Sequence, residues 1–539
     1  MALRHRRLAA LALAAALALA ALHTWPLATA PGRLSRVDNA DTQLNAWILG
    51  WVAHQAPRDP LHLFDANIFH PQPRALAFSE HMVVQGLMGA PLGLAGASPV
   101  LVYNLLLLAG FALSAWAMFL LVRHWTGSAA AGAVAGSLFA FNAHLMTRMP
   151  HMQALHVEFL PLALWALDRV IVHGRRRDAL WLGVAAALQG LTSNYLLVLV
   201  TVALLVAVLA RAPEWLRTAP ARTIGALATA AVVLAVLVAP FLVPYYLVQR
   251  DQGLTRSLDE VARFSSTWRD YLFTVGAFHY GAWSHRVADG ATAMFPGVGA
   301  ILLAGCGIML AGGSRDPRVR MMAAIGVAGV ALSFGPAMPG YAFLYRWMPL
   351  LQGLRAPARF GFLALTAIAV VAGFGVAALQ QRWGGRRWWP ALAASLLILV
   401  HAEIFCAPVD YRAFEGVPRI YATLRSDDVT AVAEFPFFTP ASIFRNATYV
   451  LNSTAHWKPL VNGYSGFMPA SYETFAGVLV NFPNEWSRNL LLELRVSHVI
   501  VHFDAYDETR RQGLAAACAG APWLTRVATD GAITVYRVR

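Results

Sequence analysis

Residues 35–54 read SRVDNADTQLNAWILGWVAH. They follow the first long apolar run and open with two carboxylates, Asp38 and Asp41, in a chain with 28 acidic residues against 42 basic ones. Behind them Leu44, Trp47, Ile48, Trp51 and Val52 recur at i, i+3, i+4, i+7 and i+8, the spacing of one apolar helical stripe. Asp41 and Asn45 fall off that stripe. A short helix carrying two indoles is expected to lie flat in the membrane interface, apolar face down. Both carboxylates then stand at the water–lipid boundary just after a membrane span. A base held there suits a substrate that is water-soluble at one end and lipid at the other.

Working outward, the composition belongs to a polytopic membrane protein. Of 539 residues 58% are hydrophobic and 13% charged, about half the charge of a soluble domain. Mean hydropathy is +0.53. The net charge of +14 is almost entirely arginine, with Lys458 the only lysine. These arginines cluster in short loops between apolar runs, which the positive-inside rule explains without a nucleic acid partner. Cys306, Cys406 and Cys518 have no ligand spacing and suggest neither a metal site nor a disulfide framework.

The first apolar run, residues 8–30, follows Arg4, Arg6 and Arg7 and reads as a retained helix or as a signal peptide ending at Ala28-Thr29-Ala30. Further runs lie near 98–122, 127–143, 155–172, 179–193, 195–211, 223–243, 296–312, 319–335, 360–380 and 389–406. That predicts a mainly α transmembrane bundle of about eleven spans. Arg123, Arg175 to Arg177, Arg211/Arg217/Arg222, Arg315/Arg318/Arg320 and Arg382/Arg386/Arg387 fall in alternate connections, on the side of the N-terminal arginines. That side is the cytoplasm. An odd span count puts the C-terminal segment outside, in the periplasm of a bacterial inner-membrane protein. The expected domains are 1–406, transmembrane and carrying the first external loop 31–97 with its interfacial helix, and 407–539, a small mixed α/β domain. Strand-like runs at 432–435 and 496–501, and the turn Asp530-Gly531 before 532–536, support the second.

Charge gathers in the external loops. Glu80 and His81 precede an apolar helix running to Leu94, with Ser79 a candidate cap; they read either as helix-end chemistry or as substrate contacts. His144, Arg148 and His151 share a face if a helix survives to Pro150, a positive stripe able to hold a phosphate, with interfacial snorkelling as the alternative. Arg355 and Arg359 enter a span from the external side, against the charge rule, which is costly unless an anion meets them. The anion is a lipid phosphate or an internal carboxylate. In the tail, STAHWKP (453–459) and NGYSG (462–466) set aromatics beside amides and hydroxyls, as a sugar contact or a packed loop.

This order of elements resembles the GT-C superfamily of integral-membrane glycosyltransferases, which use polyprenyl-phosphate-linked sugars. The stretches DNADTQLNAWILGWVAHQ, LFDANIFHPQPRALAFSEH, LRAPARF and STAHWKPLVNGYSGF are similar to an uncharacterised bacterial group of GT-C-like proteins. The resemblance covers the whole chain in layout, through short motifs. It implies that Asp38, or secondly Asp41, is the catalytic base or a metal ligand, and that Arg355 and Arg359 bind the lipid phosphate. The two aspartates are three apart, not an adjacent pair or a strict D-x-D, so a role for Mg²⁺ or Mn²⁺ stays open. The implied activity is transfer of a sugar from a polyprenyl-phosphate donor to a glycan, lipid or protein acceptor of the envelope, by base-assisted inverting displacement. Asp38 as the N-cap of its helix is the structural alternative. Two other functions compete. A lipid or glycan transporter or flippase predicts mid-span charges and two related halves, whereas a non-catalytic assembly protein predicts that Asp38→Asn is silent.

Overall fold

In a computed structural model, residues 2–253, 255–288, 292–310 and 315–539 are described, without the side chains of residues 2–4, 349 and 350. The end of the run expected at 296–312 lies outside them. The early helices are α1 (Ala2–His23), α2 (Ala40–Gln55), α3 (Val83–Leu94), α4 (Pro99–Thr126), α5 (Ala129–Ala140) and α6 (Ala143–Thr147). There follow α7 (Phe159–His173), α8 (Arg176–Thr192), α9 (Asn194–Ala210), α10 (Ala212–Thr218) and α11 (Pro220–Gln252). Strands β1 (Leu34–Ser35), β2 (Arg412–Ala413), β3 (Val432–Phe435), β4 (His498–His502), β5 (Leu524–Asp530) and β6 (Ile533–Val538) complete the set used below. Contacts divide the chain into two compact units: Met1–Ala30, Leu105–Pro240 and Thr255–Asp410, and Pro31–Asn104, Phe241–Leu254 and Tyr411–Arg539.

The first unit is helical, and among the described residues each long apolar run forms a helix over most of its length. Among the described residues, five helices are long and apolar enough to cross a membrane: His5–His23, Pro99–Thr126, Ala129–Thr147, Pro220–Gln252 and Pro357–Trp383. A sixth exists if α9 and α10, bent by 60°, count as one. The protein is a multi-pass membrane protein, but the expected eleven spans are not reached on length. Trp389–Ile404 has 16 residues, and at ~1.5 Å per residue it falls short of a hydrocarbon core of about 30 Å. The centre of the unit is the helix Gly361–Trp383, packed against α5, Val298–Leu310 and Pro317–Ser333. Glycines permit the closest crossing: a Cβ on Gly307 would lie 2.2 Å from the Val371 carbonyl oxygen, and one on Gly375 2.0 Å from that of Leu303. The carboxylate of Asp168 gathers Trp125 Nε1 (3.0 Å), Arg318 Nη2 (3.0 Å) and Arg211, knotting elements far apart in sequence.

In the second unit the first loop and the tail fold together. Phe69 and His70 donate their backbone N–H groups to Asn462 and Leu460, and Leu460 donates to Asn67. The tail sheet runs β3-β4-β6-β5. Strands β3 and β4 are parallel, with Val432 opposite His498, and the crossover that a parallel pair requires supplies the helices between them. Strands β5 and β6 form the hairpin expected at Asp530-Gly531. Beneath them lies a buried polar knot: the Glu434 carboxylate accepts from the Tyr421 hydroxyl (2.5 Å) and sits 2.8 Å from His502 Nε2.

The apolar stripe of α2 overturns one expectation. Leu44, Trp47, Ile48, Trp51 and Val52 are buried inside the unit against α3 and the tail helix Ala447–Asn452, so this stripe does not face lipid. The tryptophans are held by polar partners: Trp47 Nε1 donates to Asn67 Oδ1 (3.1 Å) and Trp51 Nε1 to the Leu63 carbonyl (2.8 Å). The exposed apolar helix is α3, through Leu87, Met88, Leu92 and Leu94.

Candidate active site

The first group of candidate residues lies in the helical unit. Ser193 caps α9 by accepting from the N–H groups of Tyr195 (3.1 Å) and Leu196 (3.5 Å), which fixes Tyr195 in the first turn. The Tyr195 hydroxyl accepts the backbone N–H groups of Arg355 (2.9 Å) and Ala356 (3.3 Å). One turn on, the Arg359 guanidinium lies over the Tyr195 ring, 3.9 Å from its centroid, while that of Arg355 lies 4.5 Å from the Phe264 centroid. Tyr195 thus holds both arginines without any carboxylate. Among the described residues neither forms an ion pair, and Arg359 Nε is buried with no hydrogen-bond partner.

Arg148 belongs to the same group. Burial, followed by the nearby charge of Arg359, lowers its pKa to about 10. The expected stripe through His151 does not form as one helix, because α6 stops at Thr147, short of Pro150. Arg148, His151 and Arg359 nevertheless stay within electrostatic reach of His144. A cavity of about 20 Å³, bordered by His144, Gln153, Ser193, Tyr195 and Arg359, has room for one water. Arg256, bound to Glu260 (2.7 Å), stands within electrostatic reach of Arg355 and Tyr195.

The second group lies in the other unit. The N-cap of α2 is Asn39, whose side chain accepts from the N–H groups of Asp41 (2.9 Å) and Thr42 (3.3 Å). Asp38 is therefore not the cap. It stands half-exposed, 3.9 Å from Arg36. Asp41 accepts the Tyr464 hydroxyl at 2.8 Å, so the tail motif NGYSG touches a first-loop carboxylate. Asn462 of the same motif is structural: its side chain clamps the backbone of Glu434 (2.7 and 2.9 Å).

Ser79 does not cap α3. That helix begins at Val83 after Met82, which has a left-handed φ of 41°. Glu80 lies half-buried before it, and His81 is wholly buried against Phe64 and Tyr245, with burial lowering its pKa to about 4. A side chain so enclosed fits packing better than substrate contact. As for metal, no group of three or more His, Cys, Asp or Glu is placed to hold an ion among the described residues, and Asp38 has a cation beside it.

No protein-family model matches the chain, and no curated protein matches it. Solved structures do. ArnT from Cupriavidus metallidurans in the apo state is 12% identical, with 93% of each chain covered and a TM-score of 0.46. The same protein bound to undecaprenyl phosphate is 12% identical, covering 92% of this chain and 96% of that one, with a TM-score of 0.41. The likeness is too distant to assign a family. Tyr195, Ser193 and Arg256 were not among the residues expected from sequence. The signal for Ser193 and Tyr195 was the polar Thr192-Ser193-Asn194 break between two apolar runs.

Proposed function

We propose that this protein is a membrane glycosyltransferase of the GT-C type, moving a sugar from a polyprenyl-phosphate donor to an envelope acceptor on the periplasmic face. The observation that carries this reading is the arginine group on Tyr195. Arg355 and Arg359 are set on aromatic faces, Arg359 Nε is buried without a hydrogen-bond partner, and Arg148 stands near the charge of Arg359. The guanidiniums of Arg355 and Arg359, held on aromatic rings without a carboxylate, favour an anion with several oxygens, and guanidinium forks match phosphate. At an external span entrance, a lipid phosphate is the anion at hand.

In the proposed step the acceptor hydroxyl attacks the anomeric carbon as the bond to the phosphate oxygen breaks. On the resemblance alone, Asp38 of the second unit is the group proposed to take the hydroxyl proton, a contribution of about 10²–10⁴-fold. The charge that develops on the departing phosphate is met by Arg359, Arg355 and Arg148. Asp41, tied to Tyr464, orders the first turn of α2 behind Asp38. The test is turnover by full-length protein in nanodiscs with polyprenyl-phosphate sugars and envelope glycan acceptors, following polyprenyl phosphate release. Release by wild type that Asp38→Asn and Arg359→Ala both lose supports the reading. Undiminished release by both variants removes it.

A further inference from the structure

At the end of α2 remote from its carboxylates, the second unit contains a cavity of about 280 Å³. That is far more than the ~10–15 Å³ that a single water needs. Its walls include Gly50 and His54 of α2, Arg58, Gly93 of α3, and Thr454 and Trp457 of the tail. The space exists because small residues face it. A Cβ on Gly93 would meet only the Ala53 Cβ, at 3.8 Å, whereas one on Gly50 would lie 3.3 Å from the Trp457 indole. The indole rim therefore rests on nearly bare helix backbone.

Trp457 is held there at some cost. Its φ is +57°, a left-handed conformation rare for a bulky residue. The backbone around it is pinned, because Trp457 N–H donates to the Ser453 carbonyl (2.8 Å) and Lys458 N–H to His456 Nδ1 (2.9 Å). The indole stacks on the His54 ring, with centroids 4.7 Å apart and planes inclined by 24°. Burial, and then the charge of Arg58, lower the His54 pKa to about 4, so the slab of two rings is uncharged at neutral pH. Beside it stand opposite hydrogen-bonding capacities. The Arg58 guanidinium is exposed and donates. The Thr454 hydroxyl gives its proton to the Leu451 carbonyl (2.7 Å) and keeps its lone pairs to accept. Leu49 and Val102 add apolar wall.

We propose that this cavity binds the pyranose ring of a saccharide, with a C–H face against Trp457 and hydroxyls on Arg58 and Thr454. A sugar has one apolar face and a rim of mixed donors and acceptors, and this wall offers the complement of both. The ring could belong to a free glycan or to the headgroup of a glycolipid, whose chain could follow the exposed Leu87, Met88, Leu92 and Leu94 of α3. The proposal does not depend on the arginine group of the other unit or on the transfer reaction.

The test is saturation-transfer NMR on full-length protein in nanodiscs of defined phospholipid. The probes are methyl pyranosides of glucose, galactose, mannose and glucuronic acid, each beside its octyl glycoside. Wild type should bind at least one sugar, with saturation strongest on ring C–H protons. Trp457→Ala and Gly93→Leu, which removes the platform and fills the hollow respectively, should each weaken binding about tenfold or more. Arg359→Ala should leave it unchanged, which separates this site from the transfer reading. Tighter binding of the octyl glycoside assigns a glycolipid headgroup, and equal binding a free glycan. The proposal is overturned if no sugar binds wild type at about 20 mM, or if Gly93→Leu, still folded by its unfolding temperature, binds as wild type does.

Discussion

The Arg359 guanidinium stacks on the Tyr195 ring at 3.9 Å, and the hydroxyl of that tyrosine accepts the backbone N–H groups of Arg355 and Ala356. One side chain thus fixes both the head of one arginine and the backbone of another. Tyr195→Phe keeps the stacking face and leaves two N–H groups without their acceptor. It is predicted to lower turnover about tenfold, whereas Arg359→Ala lowers it about 10²–10³-fold, as loss of one preorganised charge partner does. Arg359→Lys is expected to recover little, because an ammonium neither stacks flat nor forks. Steady-state release of polyprenyl phosphate by the three variants checks the order.

Asp38 and Asp41 should separate in the same assay. Asp38→Asn is predicted to remove general-base catalysis, about 10²–10⁴-fold in kcat, with little change in unfolding temperature, since the side chain is half-exposed and does not cap α2. Tyr464→Phe breaks the contact to Asp41 and should cost less than tenfold. Equal losses in Asp38→Asn and Tyr464→Phe would move the base to Asp41.

Acid should weaken the second unit. Burial lowers the imidazoles of His81 and His456 to about 4 from an ordinary 6.5. Their folded values lie below the unfolded one, so the unfolded chain binds the extra protons. The stability from keeping them neutral is present above about pH 6.5 and is lost as pH falls toward 4, by up to ~3 kcal/mol each. Thermal unfolding at pH 7.5, 5.5 and 4.5 should show the fall, and His81→Phe should make it shallower. An unchanged pH slope in His81→Phe would contradict this.

The α2–α3 crossing is tight at one point. A Cβ on Gly86 would sit 2.5 Å from the Val52 side chain, and Val52 is fully buried. Gly86→Ala is predicted to destabilise by about 1–3 kcal/mol through overpacking. Adding Val52→Ala should restore part of that loss, which a double-mutant cycle on unfolding temperatures would measure.

Periodicity and turn chemistry made much of this fold legible. Among the described residues each long apolar run became a helix over most of its length, and Asp530-Gly531 became the hairpin of β5 and β6. What periodicity leaves open is the neighbour of an apolar stripe. That of α2 could face lipid or protein, and only the pairing of residues 67–70 with 460–462, nearly four hundred positions away, made it protein. Caps were harder. Asn39, not Asp38, closes α2, and Met82 rather than a serine begins α3. The arginines declared themselves by opposing the charge rule. Tyr195 did not, because its role is a hydrogen bond to backbone 160 residues later.

Central to the function is the claim that the arginine group on Tyr195 holds a lipid phosphate. Binding of polyprenyl phosphate to protein in nanodiscs, read by native mass spectrometry in wild type, Arg359→Ala and Arg355→Ala/Arg359→Ala, addresses it without any acceptor or sugar. The prediction is a lipid bound by wild type, weakened about tenfold or more in Arg359→Ala, further in the double variant, and displaced by inorganic pyrophosphate. Equal occupancy in all three proteins would contradict it.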